Sequence, residues 1–468
     1  MTDVDLRILG GTIVTARQDG LVVSDGGIAI SNGSIIEIGP HQDIEARFTA
    51  QRTINTDGML IFPGLVDTHT HLYQTLLKGL GDDLPLMEWL DACTLPSIPH
   101  LTPRMCYVAA ALGCIESLRS GCTTIFDYMV DCADTQVYDA IMQAFDDVGI
   151  QGFLGRGLRD RQAEAVRVPL PGIEAQLADC SRLADTYGAR RVWLAPGATW
   201  ALEEDSLRAA RQTANERGLR MSLHTDEVTF DSDESLRRFG QRTVPFLERI
   251  DFLGPDVLHA HCVQLTDEDC QILARHGACV SYNPVSNMYL GSGVPPIPRL
   301  LELGVTIGLG ADGAASNNSQ DMLEALKVGA LLPKVAWRDP AVITAADAVR
   351  LATTGGAAAL GCDDFGSLEP GKRADVLVFD PLHAKSIPVH DPVSTLVYSS
   401  GEVNVRTVIV GGRVVLENRR ITGMDEDAIL REAQAVAEEL AQVAGTRQRL
   451  AGRWTRQRAS VTGALVRP

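Results

Sequence analysis

The sequence predicts an α/β protein, a (β/α)8 TIM barrel with a flanking β-sandwich built from both chain ends. Three observations on its 468 residues carry that expectation. Between residues 58 and 362, eight apolar strand-like runs alternate with helical stretches, as repeated βα units around a parallel sheet require. The ends, 1–57 and 363–468, read instead as short strands and turns, too small to hold a core alone and expected to pair with each other. Candidate metal ligands fall at the ends of the strand-like runs, where such a barrel gathers its chemistry.

Taken in order, the N-terminal unit is LRILGGTIVTA, then GIAISNGSIIEIG with Asn32-Gly33 as its turn, then QRTINTDG. The barrel runs are MLIFPGLVDTHTH, CTTIFDYM, GIQGFLGRGL, RVWLAPGATW, RMSLHTDE, DVLHAHCV, ACVSYNP and TIGLGADG. Between them lie amphipathic stretches such as RMCYVAAALGCIESLRSG, QVYDAIMQAFDDVG, SLRAARQTANERG and DEDCQILARHG, each closed by the glycine that a helix C-terminus favours. After Gly361 strands return in GSLEPGKRADVLVFDP and VRTVIVGGRVVLENRR, followed by an Ala- and Glu-rich helix, DEDAILREAQAVAEELAQVAG. From Thr446 onward the tail carries Arg447, Arg449, Arg453, Arg456, Arg458 and Arg467 with no acid. It reads as a solvated extension, with an anionic or subunit contact as the alternative.

Composition narrows the function. With 45% hydrophobic and 22% charged residues the chain can bury a sizeable core, which excludes disordered and fibrous classes. Forty-two Lys and Arg against 60 Asp and Glu leave a formal charge of −18, which disfavours nucleic acid, anionic membrane and phosphate-rich partners. A small neutral or cationic ligand is expected. Ten cysteines without any CxxC, mostly in apolar runs, read as buried free thiols in a reducing cytoplasm. The opening MTDVDLRILGG lacks the pattern of a signal peptide, no run is long enough to span a bilayer, and the Asn-x-Ser matches at Asn32 and Asn317 read as chance.

The first barrel run ends in Asp67-Thr68-His69-Thr70-His71, and strand alternation puts His69 and His71 on one face, able to hold one ion together. Run five ends in His224, run six in His261 and run eight in Asp312, all at the expected mouth. His259 shares the face of His261 but lies one pleat deeper, and His41, His100, His276, His383 and His390 fall in loops or helices as ordinary residues. Imidazoles with one carboxylate suit Zn2+ or Fe2+. The end of run four, Leu194 to Trp200, offers no Lys, Glu or Cys to bridge a second metal, so one ion on His69, His71, His224 and Asp312 is expected. Glu227 follows His224 by three residues and is a candidate general acid; Asp226 competes, and spacing alone does not separate them. Gly308 to Gly313 matches GxGxxG, but it follows the eighth run and precedes a polar stretch, so a dinucleotide site is not expected there.

These motifs, with PGLVDTHTHLYQTLLKGLGDDLPLMEWL, SGCTTIFDYM, LHTDE, HAHCVQLTDED, NPVSNMYLGSGVPPIP, GADGAASNNSQDM and EPGKRADVLVFDP, resemble over nearly the whole chain the amidohydrolase superfamily. The resemblance is to its branch of triazine hydrolases, melamine and 8-oxoguanine deaminases, and methylthioadenosine/S-adenosylhomocysteine deaminases. It implies a mononuclear metal on His69, His71, His224 and Asp312, with His261 orienting the water. It also implies that Asp312 takes the water's proton and that Glu227, through the HxxE motif, protonates a ring nitrogen. Ammonia, or less favourably chloride, then leaves an amino- or halo-substituted heterocycle, and a homodimer or larger assembly is implied. Glu88, in DDLPLMEWL, matches the residue that meets ribose hydroxyls in adenosine-type deaminases. PGATW where those enzymes place a His, and Tyr282 where many have another, lean instead toward triazine-type relatives. Candidate substrate contacts are Glu88, Trp89, Trp200, Asn287, Tyr289 and Ser316. Ring-opening hydrolysis of a cyclic amide and a scaffold without chemistry are the weaker readings.

Overall fold

The computed structural model describes residues 1–161 and 171–447 and, beyond them, the backbone of Arg458–Ala459 and Leu465–Val466. The arginine-rich tail, apart from Arg447 and those backbone pairs, lies outside the described residues.

Eight parallel strands form the barrel in sequence order: Leu65–Thr70, Cys122–Met129, Gln151–Leu158, Val192–Pro196, Met221–Thr225, Val257–His261, Cys279–Tyr282 and Thr306–Leu309. Nearly every residue in them is buried, because helices cover the outside and packed side chains fill the inside. The first and last strands meet where the Asp312 N–H donates to the His69 carbonyl at 2.8 Å. The end opposite the histidines is plugged by Ala357, Leu360, Cys362 and Phe365, packed among Val66, Phe126, Phe153, Trp193 and Leu258.

Both chain ends share a second sheet of nine strands. Leu60–Pro63 is its junction, antiparallel to Val376–Phe379 from the C-terminal part and parallel to Thr12 and Ile13 from the N-terminal part. Leu6, Ile8, Ile28, Ile30 and Ile61 from one end bury against Leu368, Val376 and Ile409 from the other, the shared core that neither end holds alone. The run MLIFPGLVDTHTH therefore divides between two sheets. The barrel expected from residue 58 begins after Gly64, where a β-carbon would stand 2.2 Å from the Thr123 side chain and only glycine lets the backbones approach.

The C-terminal helix, Glu426–Val443, buries Ile429, Ala433, Val436 and Leu440 at the spacing of one helical face. It packs on the barrel helix Pro103–Arg119 rather than on the terminal sheet, with Arg119 paired to Glu426 and Arg104 to Glu432 at 2.9 Å. Among the described residues no helix is long and apolar enough to cross a membrane. All ten cysteines are buried and free.

Candidate active site

The strand ends deliver the side chains by an unusual backbone. His261, Cys262 and Asp312 take left-handed φ values of +71°, +53° and +63°, which cost non-glycine residues of order 1 kcal/mol or more each. Strain at these strand ends accompanies the convergence of His261 and Asp312 on His69, His71 and His224.

The geometry fits a metal ion. Nε2 of His71 and Nε2 of His224 stand 3.2 Å apart, and Oδ1 of Asp312 lies 3.4 Å from Nε2 of His71 and 3.5 Å from Nε2 of His69. Two donor atoms each about 2.1 Å from a tetrahedral ion sit about 3.4 Å apart. The tautomers agree with this. Nδ1 of His71 donates to the Tyr128 carbonyl at 2.6 Å and Nδ1 of His224 to the Gly197 carbonyl at 3.0 Å, and because a carbonyl only accepts, both Nε2 atoms present bare lone pairs to each other. Such a pair at 3.2 Å calls for a cation between them. Neither ring nitrogen of His69 has a hydrogen-bond partner although both are buried. Burial lowers the pKa of His69, His71 and His224, holding them in the neutral form that ligates. Burial alone would favour protonated Asp312, but the surrounding imidazoles, His261 foremost, hold it below the usual carboxylate range.

His261 bridges two acids: its Nε2 is 3.8 Å from Oδ2 of Asp312 and 3.6 Å from Oε2 of Glu227, while its Nδ1 donates to Oδ1 of Asn287 at 2.9 Å. Burial opposes its charged form, yet the Glu227 and Asp312 carboxyls outweigh burial and raise its pKa. His261 also stands within the donor cluster with His69 and His224.

The two acids that spacing left equal part company here. Asp226 has a φ of +46°, which ends the strand alternation, and its carboxylate accepts from the Ser232 and Thr243 hydroxyls, both at 2.6 Å, away from the cavity. Glu227 lines the cavity, buried, with Ser292 donating to it at 3.1 Å. Burial, with the Asp312 carboxylate nearby, pushes its pKa up to about 7 although His261 pulls the other way. His259 lies deeper, its Nδ1 2.9 Å from the Thr225 hydroxyl.

The cleft over this cluster encloses about 960 Å³, part of it open to solvent. Of the expected substrate contacts, Trp89, Trp200 and Ser316 line it. Glu88, Asn287 and Tyr289 do not: Glu88 is exposed on the short helix Leu86–Trp89, Asn287 is engaged with His261, and the Tyr289 hydroxyl is paired with Asp82 and Asn318. Tyr73, Tyr128, Asp131, Arg159 and Asp231 line the cleft as well and were not singled out from the sequence. For Tyr128 the signal was there, since it shares the face of Phe126 at the mouth end of the second strand.

A barrel mouth that gathers imidazoles and a carboxylate around one point, with a buried acid alongside, defines a hydrolase with a metal site. The chain belongs to the amidohydrolase family, whose match spans residues 60–415. It is 36% identical over 441 residues to a 5'-deoxyadenosine deaminase of Methanopyrus kandleri, covering 93% of this chain and 99% of that one. It is 35% identical to a 5-methylthioadenosine/S-adenosylhomocysteine deaminase of Syntrophobacter fumaroxidans, covering 92% and 98%. Among solved structures, an adenosine deaminase from Xanthomonas campestris with bound zinc superposes with a TM-score of 0.88 at 29% identity over 94% of this chain and 99% of that one. Atrazine chlorohydrolase from Arthrobacter aurescens, complexed with zinc, gives 0.85 at 25% over 92% and 100%. The likeness thus runs further toward adenosine-type deaminases than the PGATW stretch and Tyr282 suggested. Tyr282 does not line the cleft, and in PGATW the Gly197 carbonyl holds His224.

Proposed function

We propose that the protein is a mononuclear metal-dependent aminohydrolase that releases ammonia from an adenosine-type purine carrying an amino group on the ring. One observation supports this above the others: a buried carboxyl, Glu227, with its pKa pushed up to about 7, faces the same cleft as the donor cluster. His69, His71, His224 and Asp312 would hold the ion, zinc by analogy with the two solved neighbours, with Fe2+ as the alternative. When bound, the ion supplies Lewis acidity that lowers the pKa of water from 15.7 toward about 7.

The chain's own groups do the rest. Ionised Asp312 accepts a proton from the attacking water, and His261, between Asp312 and Glu227, orients it. Glu227 donates its proton to the ring nitrogen beside the carbon that bears the amino group, which makes that carbon electrophilic. The carbon–nitrogen bond breaks as Asp312 returns its proton to the departing nitrogen, and the second proton of the attacking water passes to the Glu227 carboxylate, leaving ammonia, the ring carbonyl and both acids as they began. Trp89 and Trp200 supply flat apolar walls for the ring. A reducing cytoplasm, supported by the ten unpaired buried cysteines, and a homodimer or larger assembly complete the reading.

Ammonia release across adenosine derivatives, aminopurines, pterins, cytosines and aminotriazines, with chloride release from chlorotriazines in parallel, tests it. Ammonia from an adenosine derivative is the expected result. Chloride release alone, or no ammonia from any nucleoside with zinc or iron supplied, overturns it.

A further inference from the structure

The His261 ring is engaged at both nitrogens, and the two contacts differ in kind. Nε2 faces the reacting groups, 3.6 Å from Oε2 of Glu227 and 3.8 Å from Oδ2 of Asp312, whereas Nδ1 stands 2.9 Å from Oδ1 of Asn287. Asn287 is fully buried on the short helix Pro284–Tyr289, which starts just beyond the end of the seventh strand, and its N–H donates to the Asn283 carbonyl at 3.1 Å. Its amide nitrogen has no hydrogen-bond partner among the described residues, so among them the side chain spends its hydrogen bonding on His261 alone. Asn283 brings its own amide nitrogen no nearer to Nδ1 than 3.5 Å, and its oxygen accepts from the Ser281 hydroxyl at 3.0 Å.

We infer that Asn287 is a positioning residue for the reaction: by accepting from the Nδ1–H of His261, it fixes which ring nitrogen keeps its hydrogen and which faces Asp312 and Glu227. This rests on the proposed deamination, in which His261 orients the attacking water. A carboxamide oxygen only accepts, so Nδ1 carries hydrogen whether the ring is neutral or charged, and Nε2 is the atom left to meet the water and the acids. The ring needs such an anchor, because the torsion about its Cβ–Cγ bond is broad and roughly two-fold. A half-turn there would carry carbon atoms to the places of both nitrogens, and the left-handed backbone of His261, at a φ of +71°, does nothing to prevent it. The bond to Asn287 opposes that half-turn.

Two variants remove the acceptor, Asn287→Leu and Asn287→Ala, so the result does not hang on the folding of one. In each, kcat for ammonia release from 5'-deoxyadenosine is expected to fall about 10- to 100-fold, with KM within about threefold and zinc content unchanged. Asn287→Asp keeps an acceptor in the same place and gives up a group that had no partner, so it is expected to turn over at least about fivefold faster than Asn287→Leu. A rise in KM with kcat held would make Asn287 a substrate contact and overturn the inference. So would an Asn287→Asp no better than Asn287→Leu, because a carboxylate fails at this place if Nδ1 presents a bare lone pair. Zinc lost in step with kcat would show a merely structural role and overturns it as well. Near-normal turnover in Asn287→Leu and Asn287→Ala removes Asn287 from the reaction and leaves the deaminase reading intact. Absence of ammonia from every adenosine derivative with the unaltered protein overturns the deaminase reading and this inference with it.

Discussion

Whether Glu227 carries a proton decides what the site can do, because a general acid works only while protonated. Its pKa is pushed up to about 7 by burial, so kcat is expected to fall as pH rises through that value. The sign for stability is the same. The folded state binds this proton more tightly than the unfolded chain, so the stabilisation is full below the ordinary value of 4.5 and is lost as pH rises through about 7. Glu227→Gln keeps the shape and the Ser292 contact but has no proton to give, and turnover is expected to drop about 10²-fold with metal content unchanged by elemental analysis. Near-normal turnover would remove Glu227 from that role. The sequence showed the ligand types and the strand ends that carry them, since strand parity is local. It could not choose between Asp226 and Glu227, because the left-handed turn at Asp226 is set by what Ser232 and Thr243 offer its carboxylate from two later helices. The motif that singled out Glu88 carries residue type alone, whereas its exposure depends on how the short helix sits.

Elements explain where the sequence was readable and where it was not. All eight barrel strands stood out as apolar runs, but a run buried on both faces does not say which sheet it joins, so Leu60–Pro63 read as barrel although it pairs with Val376–Phe379. The C-terminal helix was equally plain as a helix and silent about its partner, which its charges find across more than 300 positions, Arg104 with Glu432 among them. Two changes test the element junctions. Gly64→Ala places a methyl against Thr123 where the chain passes from one sheet to the other, and a loss of about 1–3 kcal/mol in denaturant unfolding is expected. Asp67 joins the first strand to the loop after the eighth, its Oδ1 accepting from the His69 and Ala311 N–H groups, each at 3.1 Å. Asp67→Ala leaves both donors buried without partners at about 1–3 kcal/mol each, and reduced zinc retention on gel filtration is expected alongside the lower stability. Intact zinc retention would separate that clamp from the donor cluster.

For the molecule as a whole, the barrel and the core shared by the two chain ends leave the donor cluster as the place where folding and function compete. The bare nitrogens of His71 and His224 face each other at 3.2 Å and neither ring nitrogen of His69 has a hydrogen-bond partner, a local penalty of the folded state that a cation removes. The unfolded chain scatters the same four donors and binds an ion far more weakly. Metal therefore stabilises by mass action, by about 2.7 kcal/mol at a free concentration one hundred times Kd. Chelation is expected to lower the thermal midpoint and abolish turnover together, and added zinc to restore both. His71→Ala removes one donor and relieves the lone-pair contact, so the metal-free midpoint should fall less in this variant than the zinc-bound one does, shrinking the shift that zinc produces. A zinc-induced shift as large in His71→Ala as in the unaltered protein would mean that the ion stabilises the fold from another site, and the cluster at the barrel mouth would lose its claim to it.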